Sequence, residues 1–441
     1  MAIQEDLRKP ISFQEEAEKG RLYISLPFSD LSKWVPDSDS HFYNQTLDSF
    51  PVNRLAGIHQ LGFLSWIHSC PSEKQYFMNF HHDRYDHTLA VAMVMETVLK
   101  QNGFSEKDIE TGLTAAFLHD ITTPAGGNAV MELDYEELDE EASWFECLGS
   151  KGLDFLAEKE IRLDEIDSII KNKGLLGKML DISDRIAYVM KDLHAVGDKE
   201  STVIVDKDKD GKHKEPEEDL NMKELKSVLS SCPDIGNIYK DVCYDKETGE
   251  VYFSNPQRLA AFLKIRALLY KNLYLHPINR GRDLALRLLS RPFYSHDNKN
   301  KKGLNPKNLR KMTDEELLEY IYLKYKFPFK TSSLYESFVS WYPEFEEFST
   351  LAEAETRMEK LNSENGNLLM IGIHEVKYFN PGTSYPVKDE NGNLVPFKNF
   401  DPENAAEIEE IMKSAKKVYL FYDDLSIEKF GNLRGILRRA R

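Results

Sequence analysis

Arg84-Tyr85-Asp86-His87-Thr88, Ala115-Ala116-Phe117-Leu118-His119-Asp120 and Asp181-Ile182-Ser183-Asp184-Arg185 decide how this chain is read. They carry two imidazoles and two carboxylates, His87, His119, Asp120 and Asp184, each on or beside a strongly helical pattern. From about Asp86, Leu89, Ala90, Met93, Val94, Thr97 and Val98 recur at helical spacing, and Gly103 stands where a helix closes. Ser105-Glu106-Lys107-Asp108 has the form of a capping box. It opens a helix that buries Ile109, Leu113, Ala116 and Phe117 and ends at His119-Asp120. A third helix, Leu175 to Ala195, buries Leu176, Met179, Leu180, Ser183, Ile186, Ala187 and Met190. Neutral imidazole together with ionised carboxylate suits one divalent ion (Mn, Fe, Mg, Zn or Ni), and three or four protein ligands leave positions open for water and substrate. Such an ion lowers the pKa of bound water and polarises a phosphoryl oxygen, so hydrolysis is the chemistry expected.

Two polar faces accompany this set. Asp181, Asp184, Tyr188 and Asp192 share one side of the third helix, either as a solvated stripe or as a buried row that needs partners. Pro256 to Tyr274 predicts one long helix with Arg266, Tyr270 and Tyr274 on a common face, where the alternative is half-buried core tyrosines beside a surface arginine. Upstream, Leu55, Ile58, His59, Leu61 and Gly62 predict a helix starting near Val52.

The rest of the chain frames this core. Residues 1–50 read as short elements broken by Pro27 and Pro36, residues 51–295 as the helical core, and residues 300–441 as a smaller α+β region. The fold class expected is mainly α. A charged insertion at about 198–222 contains Asp206-Lys207-Asp208-Lys209-Asp210-Gly211 with Glu217, which satisfies an EF-hand spacing. Interspersed lysines, Pro216 and the strand-like Ser201 to Val205 before it favour a turn in a hairpin. Tyr244 to Phe253 reads as a hairpin, Leu368 to Phe379 and Lys417 to Tyr422 as strands, Asn391-Gly392 as a turn, and a last helix starts near Ser426.

A net charge of −17 over 441 residues argues against non-specific binding to nucleic acid or anionic lipid. Four cysteines, Cys70, Cys147, Cys232 and Cys243, form no paired motif, which points away from a disulfide framework and towards a reducing cytoplasm. No apolar run approaches a membrane span, and no secretory signal is expected from the first residues.

Taken together, these residues resemble the HD superfamily, and within it the deoxynucleoside-triphosphate triphosphohydrolases of the bacterial dGTPase and vertebrate antiviral types. The resemblance extends over about residues 50 to 290. Asn53-Arg54-Leu55 through Ile58-His59-Gln60-Leu61-Gly62 is similar to a family segment ending Lys-Gln-Leu-Gly, and Arg84 to Leu89 to its Arg-Phe-Glu-His-Ser-Leu. Asp184-Arg185 with Tyr188 and Asp192 is similar to its Asp-Lys-x-x-Tyr-x-x-x-Asp. The resemblance implies that His87, His119, Asp120 and Asp184 bind the metal and that Arg84, Arg185 and Arg266 neutralise phosphates. It further implies that Gln60, Tyr188 and Asp192 hold the sugar and that Tyr270 and Tyr274 lie along the nucleotide. A nucleotide substrate is the partner implied, and a homo-oligomer is a further expectation.

The departures bear on turnover. The run His119-Asp120-Ile121-Thr122-Thr123-Pro124-Ala125-Gly126-Gly127-Asn128 lacks the histidines that the family places here, at Thr123 and near Asn128, and Phe145 stands where a third falls. Glu132, and next Asp134, are the acids nearest the family's general-acid position. Ala56 replaces an arginine associated with an activating nucleotide. Three functions are therefore weighed: a nucleotide phosphohydrolase, a nucleotide-binding sensor or scaffold without turnover, and an HD hydrolase of another phosphoester.

Overall fold

Asp83 opens the first core helix, α1 (Arg84–Gln101), its carboxylate accepting from the Asp86 amide at 2.8 Å. Every residue from His87 to Glu96 is buried, so over this stretch α1 has no solvent face. The computed structural model describes residues 22–35, 41–60, 74–78, 83–139, 144–197, 202–206, 222–295, 303–325, 344–364, 370–375 and 380–423. Gly103, at φ +69°, turns the chain into α2 (Glu106–Leu118), where Ser105 and Asp108 form the reciprocal cap expected. The short α3 (Gly127–Met131) follows, then α4 (Leu163–Ile170) and α5 (Gly174–Gly197). Helices α2 and α5 both pack on α1.

Beyond α5 come a hairpin of β1 (Val242–Asp245) and β2 (Glu250–Phe253), α6 (Pro256–Leu269), a π-helical turn Tyr270–Tyr274, α7 (Pro277–Ser290) and α8 (Asp314–Tyr325). Asn255 caps α6 by accepting from the Arg258 amide, and Pro256 occupies its first turn. Near the C-terminal end, β3 (Pro386–Lys388) and β4 (Leu394–Pro396) pair around Gly392 at φ +82°. The β3 strand then lies parallel beside β2 through Phe253 and Val387, giving the order β4-β3-β2-β1. Helix α9 (Pro402–Ser414) packs on α6. A separate antiparallel sheet places Val418–Asp423 between Glu344–Phe348 and Met370–Glu375. The protein is mainly helical with small sheets, as the hydrophobic periodicity predicts.

Local expectations fail in two places. The stretch from Val52 forms a 3₁₀ turn, Pro51–Gly57, instead of a helix. There Arg54 donates to the carbonyls of Ile121, Thr123 and Met312, and His59 leaves the turn to bridge with Asp83. The predicted helix over 256–274 changes to π geometry at Tyr270, a wider winding often found at functional sites. The strand-like end of the charged insertion is strand Thr202–Asp206, paired with Lys74–Met78. Asp206, first residue of the EF-hand-like spacing, ends that strand, and the remainder of the spacing lies outside the described residues, as does the helix expected from Ser426. Among the described residues no helix is long and apolar enough to cross a membrane.

Candidate metal centre

Helices α1, α2 and α5 bring together the residues that the sequence separates. His87 comes from the first turn of α1, His119 and Asp120 follow the last turn of α2, and Asp184 comes from the middle of α5. One donor atom from each of His87, His119 and Asp184 lies within 4.8 Å of the others. His87 Nε2 is 3.0 Å from Asp184 Oδ1, and the Oδ2 of Asp120 is 3.7 Å from the Nε2 of both histidines. Arg84 Nη1 donates to that same Asp120 oxygen at 2.8 Å, so this guanidinium fixes the carboxylate.

Imidazole orientation is set by backbone. His119 Nδ1 lies 2.7 Å from the Ala116 carbonyl, an oxygen that can only accept, so Nδ1 carries the proton and Nε2 faces the carboxylates. That Nε2 is buried and has no hydrogen-bond partner among the described residues, as a metal-ligand position requires. Burial disfavours the His119 imidazolium, but the Asp120 and Asp184 charges outweigh it and hold the ring up at about 9. Burial likewise opposes ionisation of Asp184 and Asp120. The two imidazoles nonetheless keep Asp184 well below the carboxylate range, and Arg84 with both imidazoles lowers Asp120. The cluster is thus arranged around positive charge, and two nitrogen and two oxygen donors fit a divalent cation.

The polar face of α5 is not a solvated stripe. Asp192 is fully buried and accepts from the Tyr274 hydroxyl at 2.5 Å, while Tyr188 Oη accepts from Arg266 Nε at 2.7 Å. Burial raises the Tyr188 and Tyr274 phenols well above their ordinary range, so both stay neutral. The Arg266 guanidinium lies 5.0 Å above the Tyr270 ring, and Tyr270 meets Tyr274 edge to face at 4.9 Å. Arg185 is held by Asp181 one turn earlier, at 2.8 Å. Gln60 is buried, and its side-chain oxygen has no hydrogen-bond partner among the described residues.

The acids expected near the proton-transfer position are engaged elsewhere. Glu132 pairs with Arg287 of α7, and Asp134 accepts from the Tyr294 hydroxyl at 2.8 Å. Thr123 is fully buried, whereas Asn128 and Phe145 are exposed. Two contributors carried no sequence signal. Asp314 of α8 accepts from the His59 and Gly126 amides and from the His59 ring, so it ties the 3₁₀ turn to the loop after Asp120. Tyr385, just before β3, lies beside Arg185.

Residues 84–196 match the HD domain family. Among solved structures, the chain is similar to a phosphohydrolase from Bacteroides thetaiotaomicron VPI-5482, with 16% identity, a TM-score of 0.61, and coverage of 91% of this chain and 99% of that one. A hypothetical protein from Aquifex aeolicus is similar at 16% identity and a TM-score of 0.61, covering 95% of this chain and 99% of that one. At such identity these likenesses establish the fold. No curated protein matches the chain. The segment from 84 to 196 is thus an HD domain by its match, and within it His87, His119 and Asp184 form a group that could hold a metal ion.

Proposed function

We propose that the substrates are nucleotides, and foremost deoxynucleoside triphosphates. The observation that carries this reading is the row formed by Tyr188 and Asp192, which follow the candidate ligand Asp184 along α5, and by Arg266, Tyr270 and Tyr274 packed against them; Asp192, Arg266 and Tyr274 are buried and the other two half-buried. A phosphoester with no sugar or base would not need three phenols, a buried carboxylate and a guanidinium grouped beside the candidate metal ligands. Arg185 and Arg266 offer planar donors to phosphate oxygens, and Gln60 an unsatisfied buried oxygen to a sugar hydroxyl. Tyr188 packs against the 2′ side of the sugar in this reading, which disfavours a ribose hydroxyl. His87, His119, Asp120 and Asp184 would hold the ion. When bound, it supplies Lewis acidity and an activated water.

Proton delivery to the leaving group is assigned to Glu132 or Asp134. Glu132 acts only after leaving Arg287, and Asp134 only after leaving Tyr294. If neither acts, the reading that remains is a nucleotide-binding sensor without turnover, favoured by the missing imidazoles at Thr123, Asn128 and Phe145.

The test is incubation of the purified protein with a panel of nucleotides and several divalent ions, with products resolved as tripolyphosphate, pyrophosphate or phosphate. Tripolyphosphate release that Asp120→Ala abolishes supports the assignment. Loss of about 100-fold in turnover in Glu132→Gln or Asp134→Asn, with metal affinity intact, identifies the proton donor. Tight nucleotide binding with no product under any metal sinks the hydrolase reading and leaves the sensor.

A further inference from the structure

The segment from Asn380 to Tyr385 comes from late in the chain yet reaches the polar row beside the metal ligands. Arg266 Nη1 donates to the Asn380 carbonyl at 2.9 Å, and the Arg185 guanidinium lies 5.8 Å from the centre of the Tyr385 ring. The ring is fixed on its other contacts. It meets Phe253 of β2 edge to face at 5.3 Å, its amide donates to the Gly382 carbonyl, and its own carbonyl accepts from the Phe397 amide. Gly382 sits at φ +85°, where a Cβ would lie 3.0 Å from both the Tyr385 ring and Leu263, so only glycine lets this loop close against the ring.

Despite this fixation, the Tyr385 hydroxyl is buried with no hydrogen-bond partner among the described residues. Burial pushes the phenol up to about 12, and Arg185 and Arg266 pull only partly against it, so at neutral pH the group is a donor. Its cationic neighbours cannot satisfy it, because a guanidinium has donors and no acceptor. Arg185 already donates to Asp181 and Arg266 to the Tyr188 hydroxyl and the Asn380 carbonyl, so the phenol is the donor left without an acceptor, and an anionic oxygen drawn by the two guanidiniums would satisfy it.

We propose that Tyr385 is a phosphate-binding residue supplied by the C-terminal region, its hydroxyl donating to a phosphoryl oxygen held between Arg185 and Arg266. The Asn380 carbonyl positions Arg266 for the same group. Arg185, whose side chain is 25% exposed, is the flank that opens to admit the phosphate. This inference rests on the nucleotide reading above and assigns one more residue to its phosphate end.

Tyr385→Phe removes the hydroxyl and keeps the ring against Phe253 and Arg185. Calorimetric titration of the full chain with inorganic tripolyphosphate, in the presence of Mn²⁺, is expected to show about tenfold weaker binding by the variant, with Mn²⁺ affinity and melting temperature unchanged. Wild type that binds tripolyphosphate while Tyr385→Phe binds within about twofold of it overturns the inference and leaves the nucleotide reading standing. An equal fold loss of Mn²⁺ affinity makes the residue structural and also overturns it. Wild type that binds no tripolyphosphate removes the nucleotide reading, and this inference with it.

Discussion

Replacing Arg84 by methionine asks whether the metal centre is an electrostatically balanced cluster. Asp120 is 2% exposed, receives Arg84 Nη1 at 2.8 Å, and has the two imidazoles at 3.7 Å. Methionine keeps the apolar stem and strands a buried carboxylate, a change that costs about 3–5 kcal/mol when nothing compensates. His119, held up at about 9 by these carboxylates, supplies some positive charge, so the lower end, about 3 kcal/mol, is expected in chelator. At about 2 °C per kcal/mol for a domain of this size, the melting temperature falls by about 6 °C. With saturating Mn²⁺ a cation faces Asp120 directly, and the drop shrinks to less than half. Differential scanning calorimetry of wild type and Arg84→Met in chelator and in Mn²⁺ reads both numbers. A drop of less than about 1 °C in chelator, or an equal drop in both conditions, refutes the balance argued here.

Burial pushes the His276 imidazole down to about 4, whereas the unfolded chain titrates near ~6.5. The unfolded state therefore takes up the proton first. Its contribution is complete above pH ~6.5 and is lost as pH falls towards the folded value, by about 2.5 kcal/mol at pH ~4.5. Urea unfolding of wild type and His276→Gln at the two pH values should show their stability difference change by that amount, and a constant difference contradicts it. Gly126 stands at φ +82°, where an alanine Cβ would lie 2.8 Å from Leu286 and 3.0 Å from Leu317. Gly126→Ala is expected to cost about 2–4 kcal/mol from left-handed strain and overpacking. An unchanged melting temperature would show that the loop relaxes freely.

The candidate metal ligands are legible because each lies on or directly after a helical pattern: the Ser105 cap, the apolar run of α1 and the Gly103 stop all act within a few residues. Polar residues on α5 and α6 were legible as faces, but their pairing was not. That Tyr188 meets Arg266 and Tyr274 meets Asp192 depends on how two helices cross. The 3₁₀ turn at Pro51–Gly57 is hidden for a related reason, since the long-range contacts of Arg54 override local spacing there, and the π turn at Tyr270 has no local signal. Glu132 and Asp134 are the nearest acids only along the chain, and space attaches them to Arg287 and Tyr294. Tyr385 could not be read at all. Its place depends on β3 joining β2 across more than a hundred residues, through a single parallel contact that no local pattern announces.

What leaves the substrate decides the reaction. Phosphorus NMR of a deoxynucleoside triphosphate incubated with the protein and Mn²⁺ reports this directly. Tripolyphosphate as the released species, made by wild type and not by Asp120→Ala or by protein in chelator, is the expected result. Pyrophosphate or orthophosphate in its place, or an unchanged triphosphate spectrum despite bound nucleotide, contradicts it.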